Sequence, residues 1–224
     1  MAFQVENYTQ VKNKLEAYKA TLVAVSKKKP LEDILQAIEN KQFHFGENYV
    51  QELVEKNEML QSKAKWHFIG HLQSNKVKMI APFVHLIQSV DSFKLLNEIN
   101  KEANKNNRII DCLLQVHIAS EETKFGFSEE ETEAMMLSLE LSQLANIRIQ
   151  GLMGMASFTE ETSLIKEEFS GLKNLFDTCK LMSADPEKFN ILSMGMSSDY
   201  EIALDCGSSM IRMGSTLFGE RNKL

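Results

Sequence analysis

Thr21-Leu22-Val23-Ala24-Val25-Ser26-Lys27 is an apolar run that ends in an amine, shortly before Pro30. It reads as a buried β-strand. Strand side chains alternate in direction, so Val23, Val25 and Lys27 share one face and the amine stands at the rim of a core. The same alternation of a short apolar run with a longer amphipathic segment continues along the chain. Strands are expected at Leu22–Ser26, His44–Gly46, Trp66–Ile69, Val84–Gln88, Cys112–Ile118, Ile147–Met153, Ile191–Met194 and Met210–Met213. Helices are expected over about Glu6–Ala20, Leu31–Glu39, Tyr49–Leu60, Asn75–Ile80, Phe93–Lys105, Glu129–Leu144, Leu164–Lys180 and Tyr200–Asp205. Such alternation with short connections demands parallel strands and right-handed crossovers. The expected fold class is α/β: a closed (β/α)8 TIM-type barrel with an extra N-terminal helix, near the small end of its size range at 224 residues. A doubly wound open sheet is the rival. Its nucleotide-binding form is weakened because no Gly-x-Gly-x-x-Gly turn follows the first strand. No low-complexity linker divides the chain and only three prolines occur, so one domain is expected over residues 1–224.

A formal net charge of −6 argues against a general nucleic-acid binder, and Lys27-Lys28-Lys29 is too short for a polybasic arm. No apolar run approaches the ~20 residues of a membrane helix. Met1-Ala2-Phe3-Gln4-Val5-Glu6 lacks the layout of a signal peptide, so a cytoplasmic protein is expected. Cys112, Cys179 and Cys206 are odd in number and far apart, which supports neither a disulfide framework nor a metal knuckle. His67 and His71 have a spacing that would pair them on a helix, but they flank what reads as a strand end. No metal site is expected.

In a barrel the chemistry collects at the C-terminal ends of the strands. Strand one brings Lys27 there, strand two Gly46-Glu47-Asn48, and strand three Gly70-His71-Leu72-Gln73. Strand seven brings Met194-Gly195-Met196-Ser197-Ser198-Asp199, and strand eight Arg212-Met213-Gly214-Ser215. Loops after strands seven and eight are the habitual phosphate site, and small and hydroxyl residues let backbone N–H groups reach a phosphate. A helix starting near Ser198 would add its positive end; Ser197 or Ser198 could equally be simple helix caps. Arg212 lies inside an apolar strand and needs a partner, either a carboxylate such as Glu47 or Asp199 or a ring nitrogen of a cofactor. Lys27 taken alone reads most simply as a solvated lysine beside Lys28 and Lys29. A neutral amine, a phosphate cradle and a group facing a pyridine nitrogen at one barrel end are what pyridoxal phosphate requires.

These segments also resemble a known family. Ala24-Val25-Ser26-Lys27-Lys28-Lys29-Pro30, Phe45-Gly46-Glu47-Asn48-Tyr49-Val50-Gln51-Glu52 and Trp66 through Lys76 carry the likeness in the first half. Lys124-Phe125-Gly126-Phe127, Gly151-Leu152-Met153, Leu192 through Ser197, Ile211-Arg212-Met213-Gly214-Ser215 and Phe218-Gly219-Glu220-Arg221 carry it in the second. The chain is similar to the YggS/PROSC family, the pyridoxal phosphate homeostasis proteins. The resemblance implies a barrel like the N-terminal domain of alanine racemase, with pyridoxal 5'-phosphate held as a Schiff base. By position, Lys27 would carry the cofactor and Arg212 would face its ring nitrogen. Ser197, Gly214 and Ser215 would hold the phosphate with Met196 lending backbone, and Asn48 would lie near the ring hydroxyl. The implied role is buffering or delivery of the cofactor, with PLP-dependent apo-enzymes as partners and without established catalysis. Gly154 through Thr159 departs from the family pattern and would alter the cavity mouth.

A binder fits the residues better than an enzyme, so no catalytic residue is assigned. An arginine opposite the pyridine nitrogen does not favour its protonation, which leaves the ring a poorer electron sink. A small PLP-dependent racemase is the alternative. It would need a second acid/base, which alanine racemase takes from an added domain of its partner subunit. The chain ends at Leu224 soon after the last strand, and Tyr49 is the one plausible substitute. A monomer is expected.

Overall fold

The computed structural model describes residues 3–121 and 125–219. Lys124 and the Glu220-Arg221 pair, which carry part of the family likeness, lie outside the described residues. The eight apolar runs become strands β1 (Thr21–Val25), β2 (His44–Glu47), β3 (Lys65–Phe68), β4 (Leu86–Val90), β5 (Ile110–Val116), β6 (Ile147–Gly154), β7 (Ile191–Ser193) and β8 (Met210–Met213). Each pairs in parallel with the next, and β8 returns to β1 through Leu22 opposite Ile211 and Ala24 opposite Met213, so the barrel is closed. Closure leaves no open edge.

Ten helices flank or link the strands among the described residues: α1 (Val5–Tyr18), α2 (Leu31–Glu39), α3 (Val50–Leu60), α4 (Val77–Ile80), α5 (Phe93–Lys105), α6 (Glu129–Met136), α7 (Leu139–Ser142), α8 (Thr162–Met182), α9 (Tyr200–Asp205) and α10 (Ser215–Phe218). No helix is long and apolar enough to cross a membrane among the described residues. The expected leading helix is α1. It buries Tyr8, Val11 and Leu15, and Phe3 rests its ring 5.2 Å from Tyr8 and 5.5 Å from Phe218 of α10.

Period-two alternation sorts the strand residues into two cores. Leu22 and Ala24 of β1, with Phe45, Trp66 and Phe68, join the large apolar layer between barrel and helices. Val23, Leu86, Leu113, Met153 and Met210 form a separate small cluster. That second set fills the barrel itself, alongside four buried polar residues, His67, Gln88, Ser193 and Arg212.

Most element ends shift by one or two residues from those expected, and three of the differences have a visible cause. The helix expected over Glu129–Leu144 breaks in two, because Ser138 accepts a hydrogen bond from the Leu141 N–H at 3.2 Å and starts α7 afresh. β4 runs Leu86–Val90 instead of Val84–Gln88, because Val84 N–H still donates to Ile80 in the preceding turn. β5 ends at Val116 instead of Ile118, because His117 N–H turns to the Phe127 carbonyl. Neither Ser197 nor Ser198 caps α9. Asp199 occupies that position, and its Oδ1 accepts the Met196 N–H at 2.6 Å.

Gly151 holds φ +149 in β6, and a Cβ there would collide with the Ile191 carbonyl oxygen of β7. Both the backbone conformation and the close approach exclude a side chain. Gly151→Ala is expected to cost on the order of 3 kcal/mol or more, read as a lower urea midpoint with the slope unchanged.

Candidate functional site

The loop after β1 is fixed from both sides. Ser26, fully buried, donates its hydroxyl to Glu47 Oε1 at 2.6 Å. Lys56 of α3 reaches up beneath it, with Nζ 2.7 Å from each of Glu47 Oε1, Glu52 Oε1 and the Ser26 carbonyl. Lys28 takes the left-handed conformation at φ +58 and donates its N–H to Glu52 at 2.6 Å. Lys29 anchors the other flank, its amine donating to the carbonyls of Phe218 and Gly219. Lys27 lies between these anchors and faces a cavity of about 410 Å³.

That cavity brings together six of the seven residues expected from sequence. Lys27, Met196, Ser197, Arg212, Gly214 and Ser215 all line it, joined by Val25, Ser198 and Phe158. Val25 ends β1 and lines the cavity, while Lys27 enters it from the turn that follows, two residues beyond the expected strand face. Gly195 makes the turn into the Met196–Asp199 loop at φ +97, where a Cβ would lie 2.6 Å from that of Ala203. Phe158 is 95% exposed at the mouth, within the segment that departs from the family pattern. The seventh residue, Asn48, lines an adjacent cavity with Tyr49, His71, Gln73 and Lys76. Its Oδ1 is buried and has no hydrogen-bond partner among the described residues.

Arg212 is 4% exposed. Nη1 donates to Ser193 Oγ at 2.6 Å and Nη2 to the Gly154 carbonyl at 2.9 Å. Burial pushes its pKa down to about 10, while the attraction of Asp199 opposes the shift, so it remains a cation at neutral pH. Of the two carboxylates considered from sequence, Asp199 acts on Arg212 through space, whereas Glu47 is engaged by Lys56 and Ser26. His67 and His71 do not meet as a pair. His71 bonds Asp91 at 2.9 Å and stacks on Phe125, while His67 lies within the barrel against His44.

Sequence reasoning missed the support beneath this site. Gln88 Oε1 accepts from Ser193 Oγ at 2.7 Å, and Ser193 in turn receives Arg212. The signal was a polar residue inside Leu86-Ile87-Gln88-Ser89-Val90, a strand buried at every position. Lys56 was missed too, because an amphipathic helix offers no reason to single out one lysine.

The chain matches the family described as alanine racemase, N-terminal domain, over residues 4–222. It is 37% identical over 204 residues to the pyridoxal phosphate homeostasis protein of Pasteurella multocida, covering 90% of this chain and 86% of that one. The human protein of the same name is 37% identical over 219 residues, covering 93% of this chain and 79% of its own length. This chain belongs to the pyridoxal phosphate homeostasis protein family. A solved structure, PipY of Synechococcus elongatus with PLP bound, is 31% identical with a TM-score of 0.86, over 96% of this chain and 99% of that one. The same protein without PLP gives a TM-score of 0.89. Alanine racemase of Clostridium difficile, 17% identical with a TM-score of 0.69, shares the fold over 56% of its own chain. The alanine racemase-like barrel read from sequence is therefore the observed one.

Glu47 supplies a pH test of the anchor under Lys27. Burial raises its pKa to about 6 against the opposing pull of Lys56. The folded protein thus holds the proton more tightly than the unfolded chain. The resulting stability is present below pH 4.5 and lost as pH rises through about 6. The stability of the native protein relative to Glu47→Gln is expected to fall by roughly 2 kcal/mol between pH 4 and pH 7, measured by urea unfolding.

Proposed function

We propose that this protein binds pyridoxal 5'-phosphate through Lys27 and serves to hold and hand on the cofactor. The observation that carries this reading is a single cavity in which a strand-end amine, a buried guanidinium and two loops of small and hydroxyl residues converge. The chemistry of that set fits the cofactor's three handles. An amine is the group an aldehyde condenses with; Ser197, Gly214 and Ser215 offer small and hydroxyl surfaces to a phosphate; Arg212 offers a cationic donor to a ring nitrogen. The buried, unpartnered Oδ1 of Asn48 suits a ring hydroxyl from the neighbouring loop. When bound, the cofactor supplies an aldehyde and an electron-withdrawing ring.

The residues favour holding over turnover. Arg212 remains charged at neutral pH and donates to the ring nitrogen position without giving up a proton, which limits the ring's capacity to take electrons from a substrate. The relatives are named for homeostasis of the cofactor, and delivery to PLP-dependent apo-enzymes is the corresponding role here.

The test is the visible absorption of the purified protein with added pyridoxal phosphate, before and after borohydride. The expected result is a band that reduction fixes to the peptide containing Lys27, and its loss in Lys27→Ala. An undiminished band in that variant would overturn the assignment. Arg212→Gln is expected to shift the band and weaken cofactor retention at least tenfold on dialysis. A companion measurement addresses catalysis: α-proton exchange of added amino acids in deuterated buffer is expected to stay at the free-cofactor rate, and exchange above it would make the racemase reading the better one.

A further inference from the structure

At the opposite mouth of the barrel, three histidines from three successive strands meet. His44 opens β2, His67 lies in β3 and His85 immediately precedes β4. Their ring centroids are 5.1, 5.6 and 5.3 Å apart pairwise, and one nitrogen from each lies within 4.8 Å of the others. This cluster is separate from the cavity of Lys27, which is lined from the C-terminal strand ends.

We propose that His44, His67 and His85 form a binding site for a divalent transition ion of the zinc class. Three imidazoles with a fourth position open to solvent are a recurrent arrangement for such ions. Here His67 is buried, His44 is partly buried and His85 is exposed, which provides two ordered ligands and an entry path. Imidazole binds metal only when neutral. Burial together with the nearby charge of Lys65 holds all three rings below their usual pKa, His44 at about 4. The cations Lys12, Lys65 and Arg108 also oppose a divalent charge, while Asp111 beside His85 favours one. A site of moderate affinity follows.

The hydrogen bonds around His67 state what the ion must change. Arg212 can only donate, so Ser193 Oγ accepts from it and donates onward to Gln88 Oε1. Gln88 then presents Nε2 to His67 Nδ1 at 2.9 Å, which places the ring proton on Nε2. That proton is donated to His44 Nδ1 at 2.8 Å. A metal replaces this proton and opens the two nitrogens to about 3.3 Å, the edge of a tetrahedral zinc–imidazole site. The proton then belongs on Nδ1, and the Gln88 amide turns over to accept it. Ser193 retains an acceptor lone pair for the reversed amide, at the cost of its own hydroxyl hydrogen, which loses Gln88 Oε1 as its acceptor and weakens binding of the ion accordingly.

The experiment is calorimetric titration of the chelator-treated full chain with Zn²⁺, with Co²⁺ absorption as a report on coordination and ¹⁵N NMR on the histidine tautomers. The expected result is one equivalent bound, visible Co²⁺ bands of a low-coordinate site, and movement of the His67 proton from Nε2 to Nδ1. His85→Ala, at an exposed ring, is expected to retain the fold by circular dichroism and to bind at least tenfold more weakly. His44→Ala is expected to do the same. Absence of saturable binding overturns the proposal. So does binding unchanged in both variants, binding lost instead in His71→Ala, or a His67 tautomer that the ion leaves unmoved.

Discussion

A guanidinium inside an eight-stranded barrel is tolerable only if its donors are accepted, and that demand shapes the interior of this protein. Arg212 projects from β8 into a region that would otherwise be filled like the cluster of Val23, Leu86, Leu113, Met153 and Met210. It is answered by Ser193 of β7 and the Gly154 carbonyl of β6. Because Ser193 must then pass its own hydrogen on, Gln88 of β4 is required, and through Gln88 the order reaches His67 of β3 and His44 of β2. Five strands contribute side chains to one directional chain of hydrogen bonds. Removing a single member leaves its neighbours buried and unpaired, which costs more than the bond itself. The group that faces the cavity of Lys27 is therefore held by the whole width of the barrel.

Much of this molecule was legible before any coordinates, and the reason is topological. Alternating strands and helices permit few arrangements, and in a barrel the ends of all strands converge. Lys27, Met196, Ser197, Arg212, Gly214 and Ser215 could be gathered at one mouth simply by knowing that each follows or ends a strand. Side-chain direction beyond the strand ends is a different matter. Asn48 follows β2 as expected, yet it lines the adjacent cavity, because its loop backbone is pressed against Gly70 and turns accordingly. The partners of buried polar groups were equally hidden. Gln88 is visible as an anomaly in an apolar run, but Ser193 is 105 residues away, and only the closed sheet brings them within 2.7 Å. His67 and His71, whose spacing would pair them only on a helix, turn apart as their place at a strand end implied, while the three histidines that meet are separated by two crossover connections.

The two mouths of the barrel solve opposite electrostatic problems with related means. At the C-terminal mouth a cation is kept charged in spite of burial, by neutral acceptors close by and the carboxylate of Asp199 at longer range. Beside it, Glu47 sits under the loop of Lys27 and draws in Lys56, so that a buried carboxylate becomes an anchor for the segment carrying the amine. At the N-terminal mouth, imidazoles are kept neutral by burial and by surrounding cations. The hydrogen-bond chain joins these environments with a fixed sense, since an arginine can only donate. That sense makes the tautomer of His67 a consequence of Arg212, on the far side of two intervening groups, Ser193 and Gln88. Arg212 cannot reverse, so any event that changes the proton order at His67 must be accommodated by the Gln88 amide between them, whose two faces differ in hydrogen-bond character.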